Sequence, residues 1–326
     1  MSRLPAPVPQ THAGSPTSLT LLGPQSHQPN LAAALRAHGI GGPMVAITAG
    51  WQEREGELQD LSAHVGQAVE DLGLYGLAEA VFRADPELAA AHRDRQHRLQ
   101  ELRELYLLRL HHAKATLRAL IDHQGRAQYV APARRQALNA LRRLDREHLR
   151  ALGRAHAEHE RDWNAQSRPV LRQAIEQLQH KLGQASTVLI AGGHVAVLIN
   201  RLRLFGAREW LQGKSIVAWS AGAMVLGEAI ALFHDHPPQG ADNVEVFEQG
   251  LGLLPQLQLF PDGERRLDLH RPARVVLLAR RFAPRQCLSL DPGACLHFRP
   301  GSTPLVHGVR RLERDGSVRA LENHPG

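Results

Sequence analysis

A serine set between an apolar run and a cluster of small residues is the first feature of this chain with chemical content. In Ser215-Ile-Val-Ala-Trp-Ser220-Ala-Gly-Ala-Met-Val-Leu, the apolar run leads straight into Ser220 and then Ala221, Gly222 and Ala223. A tight strand–turn–helix of this kind lifts a hydroxyl above the carboxyl edge of a sheet and aims the first helical amides at a developing oxyanion. The pattern is Ala-x-Ser-x-Gly, with Ala218 where such elbows usually carry Gly. Spacing alone fits a tight strand–helix connection with an incidental serine equally well. Upstream, Val188-Leu-Ile-Ala-Gly192-Gly193-His194 is another strand ended by a glycine pair, with a helix expected over Val195–Leu204. Glycines there bring backbone close to a ligand and leave amides free to donate. Two such turns on successive strands would lie side by side at one sheet edge, where α/β proteins bind ligands.

The elements that must position these residues follow from the apolar pattern. Leu19–Gly23 and Met44–Thr48 read as short buried strands separated by a helix over Leu31–His38. Gln52 to Leu74 reads as helical, and Ala78–Arg83 as a third strand before the Asp85-Pro86 break. Strands alternating with helices predict a parallel sheet covered on both faces. After the two central strands, Gln286–Leu290 and Cys295–Phe298 read as a hairpin closed by Asp291-Pro-Gly-Ala294, followed by Val306–Leu312. That turn would keep Cys287 and Cys295, the only cysteines, from facing one another.

Between residues 86 and 183 the texture changes. Gly and Pro nearly vanish, and Leu99, Leu102, Leu105, Leu108 and Leu110 mark one helical stripe, Leu138, Leu141, Leu144, Leu149 and Leu152 another. The Gly125–Pro132 interval reads as the turn between two long helices. The expected organisation is a tail over 1–17, an α/β domain over 18–85 and 184–326, and an inserted helical hairpin or bundle over 86–183. The insertion holds 19 Lys/Arg against 11 Asp/Glu, so the net charge of +7 belongs to it and not to the remainder. Only Lys114, Lys181 and Lys214 are lysines, and the insertion has only Tyr106, Tyr129 and Trp163 as aromatics. Base stacking has little to work with, which argues against nucleic acid. His156 and His159 stand at i, i+3 beside Glu160, a spacing able to hold a metal, but no acidic cluster recurs at matching intervals and solvated positions are favoured.

Taken together, the Gly192-Gly193 turn, the Ser220–Ala223 elbow 27 residues after Gly193, Gly250-Leu-Gly-Leu-Leu-Pro255 and Leu288-Ser-Leu-Asp-Pro-Gly-Ala-Cys-Leu-His297 resemble the dipeptidase E / cyanophycinase family of serine peptidases. The resemblance covers 186–310 well and 19–85 loosely, and leaves the insertion without a counterpart. It implies a class I glutamine amidotransferase-like fold, a three-layer α/β sandwich around a mostly parallel sheet. It also implies Ser220 as nucleophile, the amides of Gly193 and Ala221 as oxyanion hole, and Asp235 as acidic triad member. Gly192 and His194 would border the substrate. The family's histidine follows the Gly-Leu-Gly-Leu-Leu-Pro segment, but here Pro261 is followed by Asp262. A carboxylate cannot serve as base for a serine at neutral pH without a large upward pKa shift. His270, in Asp268-Leu-His270, is the first substitute; His234 or His236 beside Asp235, and His194, are others, and a chain with no competent base remains open.

The function so implied is hydrolysis of a small peptide or amide through an acyl-enzyme on Ser220, with no metal or organic cofactor. The alternative is a catalytically degenerate relative that binds a ligand or partner through the insertion. No run approaches 18 apolar residues and the N-terminus has no apolar signal region, so no membrane partner and a cytoplasmic setting are expected. The striped helices are candidates for homodimerisation.

Overall fold

The computed structural model describes residues 16–26, 28–233 and 244–323. Its strands are β1 (Ser18–Leu22), β2 (Met44–Ile47), β3 (Val69–Asp71), β4 (Thr187–Ile190), β5 (Ser215–Trp219), β6 (Ala229–Leu232), β7 (Glu245–Gln249), β8 (Leu257–Pro261), β9 (Gln286–Phe298), β10 (Leu305–Leu312) and β11 (Val318–Ala320). Its helices are α1 (Leu31–Ala37), α2 (Gln59–Val65), α3 (Leu74–Ala84), α4 (Pro86–Asp122), α5 (Ala127–Trp163), α6 (Pro169–Gln184), α7 (Val195–Leu204), α8 (Ala207–Trp210), α9 (Ala221–Met224), α10 (Gly263–Arg266) and α11 (Pro272–Arg281).

The main sheet runs β11-β10-β9-β1-β5-β4-β2-β3, with β8 paired to β9 off this path. From β1 to β3 every pairing is parallel. The strand residues alternate between two buried layers, as the pleat requires. Leu21, Val45, Ile47, Val188, Ile190, Ile216 and Ala218 join the cluster that includes α3, α6 and α7. Leu22, Met44, Ala46, Leu189, Val217 and Trp219 join the one that includes α1. The result is a three-layer α/β sandwich, the architecture implied by the strand–helix alternation.

Four local expectations are corrected. Ala78–Arg83 is not a strand but part of α3, whose Leu74, Ala78 and Val81 are buried at helical spacing. The third strand is Val69–Asp71, and the Gln52–Leu74 stretch divides into a 3₁₀ turn over Ala49–Arg54, α2 and β3. Gln286–Phe298 is one strand and not a hairpin: its first half pairs in parallel with β8 and its second half antiparallel with β1. Residues 291–294 bulge opposite Gly308, with Gly293 supplying a φ of 82°. The helical turn is also shorter than expected, because α5 starts at Ala127 and takes Pro132 into its interior.

The long helices α4 and α5 form an antiparallel hairpin, each 37 residues and about 55 Å long. Asp85 and Arg168 staple its two ends together: Asp85 Oδ1 accepts from Leu88 N, capping α4, and from Arg168 Nη2 at 2.7 Å. The chain after Arg168 returns to the body of the protein, since α6 packs against α3. The hairpin is anchored by buried charge. Arg281 of α11 grips Asp145 of α5 through Nε and Nη2, at 2.7 and 2.8 Å. Tyr106 of α4 donates to Asp145 and accepts from Val246 N of β7. Nearby, His156 Nε2 stands 3.1 Å from both carboxylate oxygens of Glu248, with Arg203 beside it. Among the described residues no helix is long and apolar enough to cross a membrane.

Candidate active site

The elbow is built by removing side chains. At the end of β5, Ser220 takes φ 51° and ψ −122°, a conformation open to glycine but strained for any residue with a β-carbon. Its carbonyl accepts from Ala223 N and Met224 N, turning the chain at once into α9. That helix is a single turn. A β-carbon on Gly222 would fall 2.2 Å from the Ile190 carbonyl oxygen, and one on Gly192 would fall 2.8 Å from Ser220 Cβ. The turns after β4 and β5 therefore meet backbone to backbone, and the paired glycines lie on the same rim as the serine. Ser220 itself is half-buried.

Gly193 follows with φ +112°, and a β-carbon there would stand 2.4 Å from the Gly50 carbonyl oxygen and 3.1 Å from Trp51 Cδ1. His194 N donates to that same carbonyl at 2.7 Å. The loop after β2 is thereby fastened to the Gly192-Gly193 turn. His194 caps α7, its Nδ1 accepting from Val197 N at 3.3 Å, and its ring is exposed. Neither Gly193 N nor Ala221 N donates to a carbonyl among the described residues.

The acid–base candidates are less concentrated. Asp262, directly after β8, adopts φ 58° and ψ 34° and accepts from Arg265 Nε. His270 Nδ1 lies 3.1 Å from Asp268 Oδ1, with its side chain 75% exposed, and does not hydrogen-bond Ser220. Arg271 Nε shares the same carboxylate at 2.9 Å. Asp235, His234 and His236 lie outside the described residues.

Two features of this rim are not apparent from the sequence pattern. Asp291, read there as a turn residue, is nearly buried and accepts from Ser289 Oγ, Glu264 N and Arg310 Nη2. Its carbonyl oxygen would stand 1.9 Å from a β-carbon on Gly23, at the end of β1. The second is the Trp51–Gln52 loop against Gly193, whose conformation no apolar period encodes.

Among the described residues, no group of three or more His, Cys, Asp or Glu side chains is arranged to hold a metal ion. His156 is committed to Glu248 and Arg203, while burial pulls His159 down to about 4, with Arg95 adding to the effect. Cys287 and Cys295 are free thiols in buried positions.

The model of peptidase family S51 matches residues 141–302, a span that includes the glycine pair, the elbow, β8 and most of β9. A solved crystal structure of a peptidase from an acI-B1 Actinobacterium aligns with a TM-score of 0.45 at 15% identity, over 96% of this chain and 99% of that one. No curated protein matches the chain.

Proposed function

Given that the chain belongs to peptidase family S51, the dipeptidase E / cyanophycinase family, we propose that it cleaves a small peptide or related amide through an acyl-enzyme on Ser220. The observation that carries this reading is the strained backbone of Ser220, pressed against Gly192 at the edge where the Gly193 and Ala221 amides are unengaged. Strain at a half-exposed hydroxyl is a marker of function because packing alone would select glycine or a relaxed turn.

In the proposed reaction, Ser220 Oγ attacks the scissile carbonyl carbon and the carbonyl π pair moves onto oxygen. The amides of Gly193 and Ala221 donate to that oxyanion. The serine proton passes to an imidazole and from it to the departing amine as the C–N bond breaks; water then hydrolyses the ester by the same path in reverse roles. Gly192 and His194 border the bound substrate. His270, oriented by Asp268, is our first assignment for the base, with Asp235 as the acidic member and His234 or His236 as the competing imidazoles.

An acylating fluorophosphonate should modify Ser220, identified by peptide mass spectrometry. Ser220→Ala should abolish modification and lower hydrolysis by about 10⁶-fold, the effect expected on losing a triad nucleophile. His270→Ala should bring a similar loss if it is the base; if instead His234→Ala or His236→Ala does so, the base moves to that loop. Peptide hydrolysis equal in Ser220→Ala and wild type would end the serine mechanism. Peptide binding without modification or turnover would favour the degenerate relative.

A further inference from the structure

The loop after β2 holds a second residue in the backbone conformation of Ser220. Gln52 has φ 58° and ψ −120°, against 51° and −122° for Ser220. Glycine adopts this region freely, and a residue with a β-carbon is strained in it. The surrounding contacts hold the strain from every side. Trp51 N donates to Thr48 O at 2.7 Å, and Glu55 N donates to the carbonyl of Gln52 itself at 2.9 Å. Asp71 accepts from the Thr48 hydroxyl and from Gly56 N, while the Glu55 carboxylate accepts from Tyr75 N and Gly76 N at 2.8 and 2.7 Å. The Gly50 carbonyl is fixed by His194 N.

Among the described residues nothing offsets that strain through the side chain. Gln52 is half-buried, and among the described residues its carboxamide has no hydrogen-bond partner. The position of the loop gives the strain a purpose. In the sheet β2 flanks β4 and β4 flanks β5, so the turn after β2 stands beside the glycine pair, which stands beside Ser220. Trp51 packs on the backbone of Gly193 itself.

We propose that Gln52 is a substrate-binding residue. Its carboxamide would pair with the main-chain amide of a bound peptide next to the scissile bond, with Trp51 as the adjoining wall. A carboxamide offers one acceptor and two donors, the complement of a peptide N–H and C=O, and carries no charge with which to select an ionised side chain. The substrate class is therefore a peptide recognised by its backbone. This inference rests on the reading of the Ser220 edge as a peptide-cleaving site.

The test compares two reagents for Ser220: a bare alkyl fluorophosphonate without amides, and an acetyl-Ala-Ala diphenyl phosphonate. In Gln52→Ala and Gln52→Gly the labelling rate of the peptidyl reagent should fall at least tenfold relative to that of the bare one. Gln52→Gly should also melt at the same or a higher temperature than wild type, because it relieves the backbone, so lost recognition is separated from lost folding. A peptidyl-to-bare ratio within twofold of wild type in both variants overturns the proposal. If neither reagent labels the wild type, the serine mechanism fails. Gln52 is then judged by hydrolysis of a tryptic digest of casein: a tenfold drop in both variants sustains it, and unchanged peptide loss overturns it.

Discussion

Around Ser220 neighbouring backbones touch with no side chain between them, and the Gly193 and Ala221 amides have no backbone acceptor among the described residues. Around Asp145 the reverse holds. There a carboxylate, a guanidinium and a phenol are buried together, and Arg281 reaches the Val244 carbonyl as well as both Asp145 oxygens. The first region keeps donors open and backbone strained, which suits a site that must receive a substrate. The second pairs its buried charges with one another and with backbone, which suits a joint that must hold two long helices on one body. Stability and chemistry thus sit in different parts of the molecule, and substitutions should separate them.

The largest effect expected at the joint comes from Asp145→Ala, which strands the Arg281 guanidinium in a site where it is only 3% exposed. Loss of one partner from a buried pair costs about 3–5 kcal/mol. Urea denaturation should show it, and a loss below about 1 kcal/mol would mean the hairpin is held by something else. At the site, Gly192→Ala sharpens the contrast. Its β-carbon would push Ser220 aside, and a displacement near 1 Å should slow peptide hydrolysis about 100-fold. Equal rates in variant and wild type would show that the close approach is not needed.

Acid should weaken the long helical hairpin through its buried histidines. Burial, the largest cause at each, pulls His92 down to about 3 and His148 and His159 to about 4; Arg95 adds to the effect at His92 and His159, while Glu248 and Asp145 oppose it at His148. Each folded value lies below the unfolded 6.5, so between them the unfolded chain binds a proton that the folded chain refuses. Stability should therefore rise with pH from about 4 to 6.5 and level off above, with a slope of up to about 1.4 kcal/mol per pH unit for each histidine. The urea midpoint at pH 5 should lie below that at pH 7.5, and His148→Gln should narrow the gap. The smallest effect is that of Tyr106→Phe. It removes a hydroxyl bonded to Asp145, Arg281 and Val246, for about 1–2 kcal/mol in the same urea assay.

The two regions also differ in how far the sequence reveals them. β1, β2, β4 and β5 are apolar runs ended by small or polar residues, and Gly192, Gly193 and Ser220 declare a tight edge by their size. Short apolar segments are ambiguous, however: Ala78–Arg83 suits a strand by composition, and only burial of Leu74, Ala78 and Val81 together reveals the helix. Asp291-Pro-Gly-Ala294 has turn chemistry, but the Asp291 side chain is taken by Ser289 and Arg310, so the strand bulges and continues. The joint is invisible in the chain because its partners, Asp145 and Arg281, are 136 residues apart and no local period relates them. His156 illustrates the same limit: its i, i+3 relation to His159 suggests a ligand pair, while Glu248, 92 residues on, takes it. The strain at Gln52 has no signature in residue type at all.

The place of β1 also bears on the order of events during synthesis. Residues 18–22 are flanked by β5 on one side and by the end of β9 on the other, and Thr20 finds the His297 ring 277 residues later. As the chain leaves the ribosome, β1 has neither neighbour until the elbow strand β5 emerges, and it stays an open edge until β9 is made. Contacts so distant in the chain are slow to form and leave apolar edges exposed while they wait. A truncated product ending before residue 286 would present Leu19, Leu21 and their neighbours along a bare border, and aggregation of such fragments is the physical consequence.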